Sequence, residues 1–180
     1  MADRVRFLAA AALLGLLTAC APSLGPPPPG RTASLPADDG AFRASDFAWS
    51  QALGRNALVG VVNFKVGAAR YTCQGATVVL TPETPWSRRR MVVLYKSDVH
   101  AALPADDVRS RTPQAPPGDS GPYVKRAICD AADRFSFAGL PDGGWYVVTI
   151  AKPVPGATGA SMALMRRVTT RGGRAVNFEL

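Results

Sequence analysis

Histidine is nearly missing from this chain: His100 is the only one in 180 residues. A peptidase-type zinc site needs several His and Glu ligands, so one imidazole excludes it. Nothing resembles Gly-x-Ser-x-Gly either, and His100 falls in a proline-rich stretch that makes a poor platform for a Ser-His-Asp triad. No catalytic residue, metal or cofactor is therefore assigned. Acidic residues are also short, 13 against 21 Lys and Arg, for a net charge of +8. Long apolar runs are limited to one, from Phe7 to Leu17, which is too short to cross a bilayer as a helix. From residue 57 onward no stretch has a sustained helical period.

What the chain does have begins at its first residues. Arg4 and Arg6 precede the apolar run, which ends at Leu17-Thr18-Ala19-Cys20. A basic segment, an apolar core and a small residue before the cut make an export signal. The cysteine adds something an ordinary signal peptide has no need of. Leu-Thr-Ala-Cys resembles the lipobox of bacterial lipoproteins, which implies cleavage after residue 19 and lipid on Cys20. Each buried methylene of an acyl chain contributes about 0.8 kcal/mol, so several chains anchor a domain. Ala21 follows, where an aspartate would favour the inner membrane of a Gram-negative cell. The resemblance thus implies a location at the outer membrane, facing the periplasm.

Cleavage would leave 161 residues with a net charge of +7, enough for one domain and a tether. A basic surface suits anionic lipid or cell wall, and export disfavours nucleic acid as a partner. With Cys20 lipidated, Cys73 and Cys129 remain as a pair in a compartment that permits disulfides. They are expected to be bonded.

Residues 20–54 are expected to be a lipidated tether. Pro26-Pro27-Pro28-Pro29 favours extended polyproline II. Ser45-Asp46 offers a cap for a short helix through Gln51, stopped by Gly54, with Phe42, Phe47 and Trp49 docked on the domain; a loop with the same anchors reads almost as well. Residues 55–180 are expected to form the folded domain. Strands are predicted at about 58–66, 69–73, 76–81, 91–95, 123–129, 134–138, 145–152, 161–169 and 175–180, with a hairpin turn at Gly67-Ala68. Short strands separated by turn residues argue for an all-β sandwich or barrel. Residues 97–121 carry Pro104, Pro113, Pro116, Pro117, Gly118 and Gly121, and are expected to be a long exposed loop with one helical turn near 103–108.

Two stretches carry a second resemblance: Gly75-Ala76-Thr77-Val78-Val79-Leu80-Thr81-Pro82, and Phe135-Ser136-Phe137 leading into Leu140-Pro141-Asp142-Gly143-Gly144-Trp145-Tyr146-Val147-Val148. Together they resemble the carboxypeptidase regulatory-like domain, a sandwich of the transthyretin (prealbumin) type. The resemblance implies that Val78 and Leu80 face Phe135 and Phe137 across the core, and that Trp145–Ile150 is a central strand. Asp133 departs from the pattern, standing where the family has glycine. The family name brings a fold and no activity. Related enzymes of the fold use several histidines, and the pilin-type relatives' isopeptide bond, here between Lys65 and Asn177, needs a carboxylate that the strand at 145–151 does not hold.

One surface patch is suggestive. Trp86 beside Arg88, Arg89 and Arg90 would grip a sugar phosphate, a carboxylate or a protein partner if exposed; a packed tryptophan with solvated arginines is the plainer alternative. Asp98, Asp106, Asp107 and Asp119 match no known calcium loop. The sequence thus points to a non-enzymatic binding or assembly module on a lipid anchor, its ligand a protein or a cell-wall carbohydrate. A hydrolase or carbohydrate-active protein using residues 97–121, or a purely structural lipoprotein, are the alternatives.

Overall fold

The computed structural model describes residues 40–180. The export signal, Cys20 and the proline run lie outside the described residues. Ten strands, two α-helices and three 3-10 turns follow one another through the described chain.

A three-stranded sheet packs on a seven-stranded one. The small sheet places β1 (Asn56–Val61) between β10 (Ala175–Glu179), parallel to it, and β7 (Arg134–Leu140), antiparallel. The large sheet is built on β8 (Gly143–Pro153), flanked by β4 (Thr77–Pro82) and β9 (Met162–Thr170). β6 (Lys125–Ile128) pairs β4, and β3 (Ala69–Thr72) pairs the far end of β8. Lys65–Val66, as β2, closes a hairpin on β3 around Gly67-Ala68, the turn the sequence predicted.

Alternation along the strands decides what lies between the sheets. Phe135, Phe137 and Leu140 are buried on β7, and Ser136 and Ala138 are exposed. They meet Val78 and Leu80 of β4 and Trp145 and Val147 of β8 in the main core, as expected. Burying one such side chain contributes about 1.5–3 kcal/mol. Gly60 stands where a Cβ would overlap the Phe135 ring, so the ring lies flat on β1. Cys73 and Cys129 are bonded and buried in this core. They close 56 positions of chain, worth about 4 kcal/mol if loop entropy governs. Asp133 has φ 59°, the left-handed region where glycine is easiest and aspartate tolerated. Its carboxylate accepts from Thr72 Oγ1 and the Cys73 N–H, which fixes it beside the disulfide.

The other face of β8 carries a second apolar layer, because the strand is apolar on both sides. Tyr146 on β8 and Ala163 and Met165 on β9 pack under Met91, Leu94 and Tyr95 of α1 (Pro85–Tyr95). Here the structure corrects the strand predicted at 91–95. Thr84 caps the helix, accepting from the Ser87 N–H, while the Ser87 hydroxyl accepts from the Thr84 N–H; Pro85 occupies the first turn. These signals outweigh the β-branched Val92 and Val93.

Residues 97–121 are likewise more ordered than expected. β5 (His100–Pro104) pairs β9, and α2 (Ala105–Ser110) follows, close to the predicted helical turn. The strand predicted over 58–66 is broken into β1 and β2. The folded body also begins before the boundary expected at residue 55. Residues 44–51 form a 3-10 helix, with Phe47 fully buried. That helix ends at Gln51, as expected, with Ala52 as its C-cap; a Cβ on Gly54 would overlap the Leu140 carbonyl, so this glycine permits close approach to β7.

Candidate functional site

The arginine-flanked tryptophan is not a surface patch. Trp86 is 1% exposed. Its indole N–H donates to Pro117 O at 2.9 Å, and its ring packs edge-on against Phe42 and Phe47. A helix turns about 100° per residue, so Arg88, Arg89 and Arg90 point in three directions. Arg90 lies over the Trp86 ring at 5.4 Å and donates to Pro116 O. Arg89 flanks Gly40. Arg89 lines a groove of about 510 Å³ with Phe42, Val93 and a run of prolines, a lining that holds no carboxylate, and Arg88 turns toward a groove that holds one.

That groove has a volume of about 380 Å³ and is lined by Trp49, Glu83, Thr84, Pro85, Arg88, Gly143 and Gly144. The sequence places each part. Pro82 and Pro85 bracket Glu83 at the link from β4 to α1. The Glu83 N–H donates to Gly144 O at 2.8 Å, which ties that link to the start of β8. Trp49 comes from the 3-10 helix, half-buried, its ring edge-on to Trp145 at 4.9 Å. Two glycines make the fit possible. A Cβ on Gly143 would overlap the Trp49 ring, and one on Gly144 would overlap Glu83 Oε2. The backbone here is bare so that an aromatic ring and a carboxylate can lie on it.

The electrostatics are compact. Arg88 Nη2 lies 2.6 Å from Glu83 Oε1, and Arg167 Nε lies 3.4 Å from Glu83 Oε2. Arg167 Nη1 also reaches Asp98 Oδ2 at 4.0 Å. The hydrogen bond to Glu83 holds the Arg88 guanidinium above its ordinary pKa, against the effect of burial. Beneath them lies the Tyr146 hydroxyl, closed off from solvent and without a well-aligned partner. Burial pushes its pKa up, and the charges of Glu83 and Asp98 push the same way. A half-open indole face beside a fixed acceptor and a fixed donor can hold a ligand with an apolar face and a polar edge.

The other singled-out residues disperse. His100 is exposed on β5, opposite Arg166 of β9. Asp106 and Asp107 pair with Arg109 and Arg111, Asp119 accepts from the Gly121 N–H, and Asp98 faces Arg167. The four do not gather. Lys65 and Asn177 are both exposed, on strands of different sheets.

Neither a family model nor a curated protein matches the chain. Among solved structures it is similar to a Pseudomonas aeruginosa protein described as a "putative carbohydrate binding protein". The TM-score is 0.57 at 22% identity, over 77% of this chain and 97% of that one. At that identity the likeness is one of fold.

The groove residues were mostly missed in the sequence. The sequence marks Trp49 only as an anchor and Arg88 only as a neighbour of Trp86, and it carries no local pattern that brings Glu83 and Gly144 to the groove. One signal was available. A Gly-Gly pair opening the apolar run Trp145–Val148 marks a place where something lies against the backbone.

Proposed function

We propose that this chain is a lipid-anchored protein of the bacterial envelope whose sandwich binds carbohydrate in the Trp49 groove, without catalysis. The observation that carries the reading is the pairing of Trp49 with the Glu83–Arg88 ion pair across the bare backbone of Gly143 and Gly144. Sugars present a flat C–H face and a rim of hydroxyls. The first suits an indole, and the second suits a carboxylate and a guanidinium side by side. The fold shared with the Pseudomonas aeruginosa protein supports this, since that protein is described in terms of carbohydrate.

The finer fold reading is the transthyretin-like, carboxypeptidase regulatory-like sandwich. Its support is that the two stretches carrying the resemblance are β4 and β7–β8, with β8 paired to β4 in one sheet and β7 facing them across the core. The lipid anchor rests on Leu17-Thr18-Ala19-Cys20, and the Cys73–Cys129 bond suits an exported domain. The outer membrane facing the periplasm remains the favoured location. The test is an array of neutral and acidic glycans probed with the full chain and with Trp49→Ala. Binding that the variant loses supports the reading. Binding equal in both proteins, or to neither, overturns it.

A further inference from the structure

We infer that the Trp49 groove selects neutral sugars and refuses acidic ones. This rests on the carbohydrate reading above and adds the class of sugar. The basic charge of the whole chain, +8, points the other way, toward acidic glycans. The groove itself does not share that charge.

Among its lining residues Arg88 is the cation, and Glu83 already occupies it at 2.6 Å. Arg167, behind, is shared between Glu83 and Asp98. Two guanidinium groups thus meet two carboxylates, and the site is balanced. An acidic sugar would have to displace Glu83 from Arg88 or lie beside a second negative charge. At the start of α1 three of the positions an anion would use are closed to it. Thr84 Oγ1 takes the Ser87 N–H, the Ser87 hydroxyl takes the Thr84 N–H, and Pro85 has none.

A neutral pyranose meets none of these obstacles. Its C–H face lies on Trp49. Of two neighbouring hydroxyls, one donates to Glu83 and the other accepts from Arg88, which takes both groups as they already stand. The volume, about 380 Å³, lies at the small end of ligand clefts, roughly 300–1,000 Å³, and suits a short stretch of glycan.

The experiment titrates the full chain with matched tetrasaccharides at about 0.15 M salt. Two are neutral, of β-linked glucose and of N-acetylglucosamine; one is a uronate. The wild type is expected to bind a neutral sugar at least tenfold more tightly than the uronate, through Trp49. Glu83→Gln removes a charged acceptor and frees Arg88 and Arg167. It should lose roughly tenfold for the neutral sugar, as the loss of one charged hydrogen bond predicts, and gain for the uronate. If Glu83→Gln does not fold, the wild-type preference decides alone. Should the uronate bind more tightly than both neutral sugars and still depend on Trp49, the neutral class is wrong while the carbohydrate reading stands. If no sugar's binding depends on Trp49, both fail.

Discussion

A methyl group added at Gly144 would overlap Glu83 Oε2. The overlapping atom is the free end of a flexible side chain, so the carboxylate swings aside and the fold survives. Gly144→Ala is expected to change unfolding stability by no more than about 1 kcal/mol while weakening sugar binding at least tenfold. Urea unfolding and ligand titration of the same variant separate the two effects; unchanged affinity would remove Glu83 from the site. Tyr95 gives a prediction of another kind. Burial pushes its phenol up to about 12, with Arg90 pulling the other way. Between pH 10 and 12 the unfolded chain has released this proton and the folded chain still holds it. Stability therefore falls as pH rises through that window, by about 2–3 kcal/mol for a shift of this size, and the effect is absent below pH 10. Unfolding free energies of wild type and Tyr95→Phe should run in parallel below pH 10 and change relative to one another above it, the variant falling less steeply. Tyr146, raised in the same direction, keeps part of the slope in the variant.

At the scale of elements, α1 decides how the surface reads. As a strand and turn it would have shown Trp86 to solvent; as a helix it buries the indole among Phe42, Phe47 and Pro117. Trp86→Ala is expected to cost about 3–5 kcal/mol in urea unfolding. A surface tryptophan would cost under about 0.5 kcal/mol, and that result would contradict the placement. The sandwich strands were legible because alternation in Phe135-Ser136-Phe137 and the apolar run of β8 are set by burial, which the sequence records directly. The helix was harder to see because Val92 and Val93 imitate a strand, and the signal against them was a capping box four residues long, Thr84 to Ser87. β5 was hidden because His100-Ala101-Ala102-Leu103-Pro104 buries little and holds its place by pairing with β9. The groove was least legible of all. Trp49 and Gly144 are 95 positions apart, and no local pattern links a 3-10 helix to the first residues of β8.

For the molecule as a whole, the chain combines an expected anchor, a disulfide-stapled sandwich and one groove whose charges are internally balanced. The anchor predicts that a radioactive fatty acid labels the wild type in cells and not Cys20→Ser. A label that persists in the variant would contradict it. The sandwich also carries a competing groove of about 390 Å³ on the small sheet, lined by Val59, Arg134, Asn177 and Glu179 among others. It has polar groups and a β-branched floor, but its ring, Phe178, is packed against the main core. The measurement that separates the two grooves is an NMR titration of the protein with the oligosaccharide the array selects. The Trp49 indole N–H and the amides of Gly143 and Gly144 should move together and saturate at one affinity. Shifts confined to Val59, Arg134 and Asn177, or no shifts at all, would contradict the assignment of the Trp49 groove as the carbohydrate site.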